Sequence, residues 1–262
     1  EPRLLMLDQP TAVFDSTGST QTRDLILELK TRRIASVVTS HLLEQMQEVC
    51  DRVGIMSNGT SGDINNVNFA GPAPTKKHEP GEKMMEVAKS VADSAYAAFA
   101  KIEYRTDLPI AVAARELDLG VRKPDATELA RAHQILSSPE QLINGNLSAR
   151  DAIYARETLQ LREYPDTVPV RLQAYRPADL SILTTPCETF VEIGLELKKL
   201  SPFGTTLVIE LANGYNGYLP TPQQHGWGGY ETWRAKSSYL EVEASVKMIA
   251  AFQELFGELG GK

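Results

Sequence analysis

Two cysteines, Cys50 and Cys187, are all that the 262 residues contain. A pair cannot build a disulfide framework, and with no Cys-x-x-Cys spacing a structural zinc knuckle is excluded too. Basic charge is also short: 27 Lys and Arg stand against 34 Asp and Glu, a net charge of −7. Phosphate backbones need a basic face, so nucleic acid is excluded as the main partner. No apolar run is long enough to span a bilayer. Nowhere does the chain carry Gly-x-x-x-x-Gly-Lys-Ser/Thr, the loop whose backbone N–H groups cradle nucleotide phosphates. It opens on Glu-Pro-Arg, without an initiator Met or a signal-peptide pattern. A truncated reading frame is expected from that opening, and no compartment follows from it.

What remains is ordinary for a packed protein, with 42% hydrophobic and 23% charged residues. The length suits one large domain or two modest ones. The texture changes near Thr60, and the two sides are best read separately, as domains 1–57 and 58–262.

In the first segment Arg3–Leu7 is a short apolar run ending in an acid, which predicts a buried parallel strand presenting Asp8. Ser16, Thr17 and Ser19 offer N-caps, and Leu25, Ile26 and Leu29 give Gln21–Lys30 a helical apolar face. Ile34–Val38 predicts a second strand, Leu42–Cys50 a second helix and Val53–Met56 a third strand. Strands alternating with helices predict a parallel sheet. An acid after such a strand can hold Mg²⁺ beside a nucleotide phosphate. Gln9 can hydrogen-bond a water but cannot take its proton. His41, after the next strand, is placed to contact a γ-phosphate. The plainer alternative is that Asp8 ends a strand and His41 caps a helix.

These residues resemble the ATPase subunit of ABC transporters. Leu4–Asp8 looks like the Walker B strand, Ala12–Asp15 like the D-loop and His41 like the switch histidine. The resemblance implies Mg-ATP at Asp8, Gln9 and His41, a membrane subunit as partner and a cytoplasmic setting. The sequence departs from that pattern in three ways. Gln9 stands where the family has Glu, and both the phosphate loop and the Leu-Ser-Gly-Gly-Gln signature are missing.

In the second segment Gly71–Pro80 reads as a loop. Gly81–Lys101 reads as a helix packing one broad face of Met84, Met85, Val87, Ala88, Val91, Ala95 and Phe99. Strands are expected at Ile110–Leu119, Val168–Tyr175, Leu180–Thr184 and Thr206–Leu211. Helices are expected at Asp125–Leu136, Ser148–Glu163, Phe190–Ser201 and Val242–Leu259. Glu188 follows a strand and precedes a helix, where a carboxylate is well placed for a metal. Asn213-Gly214-Tyr215-Asn216-Gly217-Tyr218 follows another strand, and a Tyr oxygen can ligate zinc or donate to an oxyanion. Gly226–Glu231 predicts an aromatic pocket loop. The plainer alternative makes Tyr215, Tyr218, Trp227 and Tyr230 amphipathic packing residues with satisfied hydroxyls.

Together Gly59–Asn66, Pro186–Gly194, Ser201-Pro-Phe and Glu210–Trp233 resemble the catalytic domain of neutral (alkaline, non-lysosomal) ceramidases, in a bacterial branch. The resemblance implies a zinc amidase that hydrolyses the N-acyl bond of ceramide with a zinc-bound water. Two His, a Glu and a Tyr would hold the metal. Glu188 matches the Glu; Tyr215 matches the Tyr, with Tyr218 as the alternative. Asp63 and Asn65 would line the site. The zinc histidines belong to the family's amino-terminal half, and His78, His133 and His225 do not fall in matching positions. Asn65 stands where the family has a Ser, and the family's carboxy-terminal immunoglobulin-like domain has no counterpart.

The two resemblances meet at Met56-Ser57-Asn58-Gly59, which fits both, with no Gly/Ser- or Pro-rich linker. A chimeric join is expected there; the alternative is a true gene fusion. The fold class expected is α/β, a partial parallel sheet of ABC-ATPase type running into a partial mixed α/β domain of ceramidase type. Each part carries a fraction of its site, so neither ATP nor a lipid amide is expected to be turned over. Each would expose core surface, which predicts aggregation or dimerisation.

Overall fold

The computed structural model describes residues 4–8, 16–32, 35–39, 57–65, 79–102, 108–137 and 149–260. The chain divides into two compact units, Glu1–Ser57 and Asn58–Lys262.

In the first unit β1 (Leu4–Asp8) and β2 (Ala35–Thr39) are joined by helix α1 (Ser16–Thr31). The strands pair in parallel, from Leu4 beside Ala35 to Asp8 beside Thr39. This is the β-α-β crossover that the alternation predicts. The helix starts at Ser16, five residues before the expected Gln21. Ile26 is buried and Leu29 half-buried, but Leu25 is 49% exposed and does not belong to the apolar face. An i, i+3 pair covers one stripe, and the residue beside it turns outward. The expected helix Leu42–Cys50 and strand Val53–Met56 lie outside the described residues, as do Gln9 and His41.

The second unit is built on a mixed four-stranded sheet whose strands lie in the spatial order 110–120, 167–177, 180–184 and 205–209; a two-residue strand β6 (Glu188–Thr189) lies outside it. Long strands β3 (Ile110–Gly120) and β4 (Thr167–Pro177) pair antiparallel over their whole length. β5 (Leu180–Thr184) runs antiparallel to β4 and parallel to β7 (Thr205–Ile209). On β4, Val170, Leu172 and Ala174 are fully buried and alternate with residues that are not. That is the period of a strand with one face on a core.

Two helices near the sheet complete this core. α5 (Val191–Leu200) supplies Ile193 and Leu197, and α7 (Ala244–Glu258) supplies Met248, Phe252, Leu255 and Phe256. Burying each such α7 side chain contributes about 1.5–3 kcal/mol before entropy is counted. The hydrophobic spacing of Ala244 to Phe256 is what makes this helix dock. Elsewhere α3 (Ala126–Leu136) packs against α4 (Ala149–Arg162). Asp125 closes the start of α3 by a capping box: its carboxylate accepts the Glu128 N–H at 2.8 Å.

One expectation fails here. The helix α2 (Glu82–Phe99) forms, but none of its residues is buried, and Met84, Met85, Val91 and Phe99 are exposed. Helical spacing of apolar residues specifies a face; it does not supply a surface to cover that face. The expected loop at Gly71–Pro80 lies outside the described residues except for its last two positions. Among the described residues no helix is long and apolar enough to cross a membrane.

Candidate functional site

The site-bearing segments are held by elements too short to leave a periodic signal. β6 (Glu188–Thr189) pairs in parallel with β8 (Tyr218–Leu219), placing Glu188 beside Tyr218 and Thr189 beside Leu219. Thr189 and Leu219 are buried, whereas Glu188 and Tyr218 are only half-buried. The side-chain alternation of two paired strands therefore puts the carboxylate and the phenol together on the open face.

The segment between β7 and β8 folds back along Thr185–Phe190 through backbone hydrogen bonds. Ala212 N donates to Thr185 O at 2.9 Å, Leu211 N to Cys187 O at 3.1 Å and Glu188 N to Gly217 O at 3.0 Å. Leu211 and Asn213 both adopt positive φ, 53° and 63°. Left-handed conformations at non-glycine residues cost free energy and persist only where surrounding contacts enforce them. Here they bring Tyr215 back over Glu188, and its hydroxyl donates to Glu188 Oε1 at 2.9 Å.

Both phenols hold their protons. Desolvation pushes Tyr215 up to about 12, aided by its hydrogen bond to Glu188 and that carboxylate's charge. Desolvation raises Tyr218 still further, and hydrogen bonding to Tyr230 and Glu188 adds to it. The Tyr218 and Tyr230 rings meet edge to face at 5.8 Å. Glu188 is thus a carboxylate flanked by two neutral hydroxyls. Such a constellation can orient a polar ligand and can accept a proton at Glu188.

A second carboxylate organises the floor. Glu210, the residue after strand β7, is buried. Its oxygens accept from Thr189 N at 2.8 Å, Ser61 N at 3.0 Å, Asn58 Nδ2 at 3.2 Å and the Ser61 hydroxyl. It ties the loop Asn58–Asp63 to β6. Gly62 completes the seam: its N–H donates to Thr189 O at 2.9 Å, and a Cβ there would lie 2.4 Å from Glu188 O. Asp63 accepts the Val191 N–H at 2.9 Å, which caps the first turn of α5. Asn65 is exposed beyond it.

Glu210 has no role in the sequence reading, although its signal is visible. Thr-Leu-Val-Ile-Glu is an apolar strand ending in an acid, the same pattern that singles out Asp8. Asp8 itself closes β1 beside Thr39. His133 is exposed on α3, while His78 lies outside the described residues. His225, half-buried on helix α6 (Pro222–Trp227), is held down to about 4 by desolvation and by the Arg122 charge. Arg122 donates to the carbonyls of Leu240, Thr232 and Ser238 and to the Ser238 hydroxyl, at 2.7–2.9 Å. The expected aromatic loop at Gly226–Glu231 is instead the end of α6 followed by a 3₁₀ turn, Tyr230–Thr232. Trp227 is 71% exposed.

Among the described residues no three His, Cys, Asp or Glu side chains converge as a metal-binding group. The three converging donors are Glu188, Tyr215 and Tyr218. A closed or catalytic zinc site needs at least three protein ligands, usually His, Cys or carboxylate. Here a single carboxylate stands with two phenols, and among the described residues no His, Cys or second carboxylate joins them, so the donor set falls short of that requirement.

No protein-family model matches the chain. It is 41% identical over 68 residues (26% of this chain, 22% of the other) to the uncharacterized ABC transporter ATP-binding protein YhcH of Bacillus subtilis. It is 38% identical over 60 residues (22% of this chain, 23% of the other) to ABC transporter I family member 17 of Arabidopsis thaliana. The chain spans about a fifth of the length of these curated relatives. Among solved structures, the neutral ceramidase of Pseudomonas aeruginosa matches with a TM-score of 0.45 at 15% identity, over 87% of this chain and 37% of that one.

Proposed function

We propose that the second unit derives from a zinc-dependent amidase of the neutral-ceramidase type, acting on the N-acyl bond of ceramide or a related lipid amide, and that this chain performs no such hydrolysis. The observation that carries the reading is the convergence of Glu188, Tyr215 and Tyr218 on one open face, drawn together by the β6–β8 pairing. The sequence blocks around these three residues support the same ancestry. Glu188 with Tyr215, or with Tyr218, would be what remains of the metal site, too few ligands to retain zinc tightly. Asp63 and Asn65 would line that site, and one oxygen of Asp63 accepts the Val191 N–H.

A fluorescent lipid amide tests this directly. Release of its fatty acid by the chain is expected to equal that by a Glu188→Gln variant, with or without added zinc. Turnover above the variant would overturn the reading.

The similarity to ABC transporter ATP-binding proteins supports a second ancestry, for residues 1–57. Asp8 would be its magnesium carboxylate, Gln9 the residue at the attacking water, His41 the γ-phosphate contact, and a membrane subunit its partner. Without a phosphate-cradling loop in the sequence, Mg-ATP is expected to leave the melting temperature unchanged. The join at Met56–Gly59 is a chimeric one in this account. Single long DNA molecules from the source, read across the codons for Cys50 to Asp63, would show whether it exists in the genome.

A further inference from the structure

A groove of about 510 Å³ opens between α3, α4 and the segment at Trp233. None of Glu188, Tyr215 and Tyr218 lines it, so it is separate from the candidate site. Its walls are partly apolar and aromatic. Tyr154 and Trp233 meet edge to face at 5.4 Å, with Ala132 and Ile135 alongside. The volume lies in the range of sites for small organic ligands.

Charge distinguishes this groove from an ordinary crevice. Arg131, Arg150 and Arg234 line it, against two acids, Glu128 and Asp151, a local balance of three minus two, or +1. The chain as a whole carries −7. Arg234 is engaged by Glu128, yet its Nε is buried without a hydrogen-bond partner. Arg150 lies over the Trp233 ring at 5.3 Å. Among the described residues neither Arg131 nor Arg150 forms an ion pair. With Arg234 paired to Glu128, Arg131 and Arg150 leave positive charge at the concavity that an anion would neutralise. A guanidinium fork fits a planar carboxylate with two parallel hydrogen bonds. The Trp233 and Tyr154 rings offer stacking surface to a flat apolar body.

We propose that this groove binds a planar organic anion, a carboxylate carried on an aromatic or similarly flat apolar body. Arg131 and Arg150 take the carboxylate, and Trp233 with Tyr154 takes the ring. The inference does not depend on any amidase ancestry.

The test uses the full chain, with naphthoate as the probe and neutral naphthamide as its control. The protein has two tryptophans, Trp233 in the groove and Trp227 outside it. A heteronuclear N–H spectrum therefore shows two indole signals, assigned with a Trp227→Phe variant. Naphthoate is expected to move the Trp233 signal saturably and leave that of Trp227 in place. Naphthamide is expected to bind about fivefold or more weakly. Arg131→Gln and Arg150→Gln should each weaken naphthoate about fivefold and leave naphthamide unchanged. The proposal fails if Trp233 does not move, if it responds alike to both probes, or if the arginine variants weaken both equally.

Discussion

Replacing Glu210 with alanine removes the acceptor for four donors at once. The Thr189 N–H is the costly one, because Thr189 is fully buried and water cannot replace the lost partner. Orphaning a buried donor costs about 1–3 kcal/mol. Ser61 N, the Ser61 hydroxyl and Asn58 Nδ2 belong to exposed residues and regain water, so each loses about 0.5–1 kcal/mol. Relief from burying a carboxylate offsets part of this, and about 3–4 kcal/mol remains. For a unit of this size that is a fall in melting temperature of roughly 10 °C. Glu210→Gln keeps the shape and one acceptor oxygen but turns an amide N–H₂ toward donors, so about 1–2 kcal/mol is expected. Both tryptophans lie in the second unit, so their fluorescence in a urea titration reads that unit alone. A Glu210→Ala variant within about 0.5 kcal/mol of the parent would refute the reasoning.

Three further outcomes are expected. Gly62→Ala places a Cβ against the Glu188 carbonyl, and the loop must lift; urea unfolding should show a loss of about 2 kcal/mol or more, while Gly59→Ala, which meets nothing, should be near neutral. Arg122→Met should cost about 2–4 kcal/mol by the same measurement, and Arg122→Lys should not restore it, because an ammonium cannot reach carbonyls on three sides. His225 has a folded-state pKa near 4, below its ordinary value, so the folded unit binds fewer protons than the unfolded chain between about 4 and 6.5. Its contribution is complete above that window and is lost as pH falls through it; His225→Gln should flatten that decline in a pH series of melting temperatures.

Elements with a strong period were legible in the sequence. Strand Leu180–Thr184 is read to the residue, and α7 ends within a residue of its expected close. Phe252 and Leu255 repeat at helical spacing, and Val170 and Leu172 alternate, because each packs one face on the same core. β6 and β8 were not legible, since two residues carry no period. Yet they decide which side chains meet. Glu188 and Tyr215 could be singled out by their motifs, but their hydrogen bond spans 27 residues and depends on two left-handed residues no motif announces. Asp63 is legible as a candidate site-lining acid, but that its Oδ1 accepts a helix N–H is seen only in the packed structure. The apolar face of α2 shows the opposite limit: the pattern was right and its burial was not.

The incompleteness of the Glu188–Tyr215–Tyr218 site is most directly tested by equilibrium dialysis of the purified chain against micromolar free zinc, beside the Glu188→Gln variant. Well under one zinc per chain, the same for both, is the predicted result. One zinc per chain, held through dialysis and lost in the variant, would contradict it.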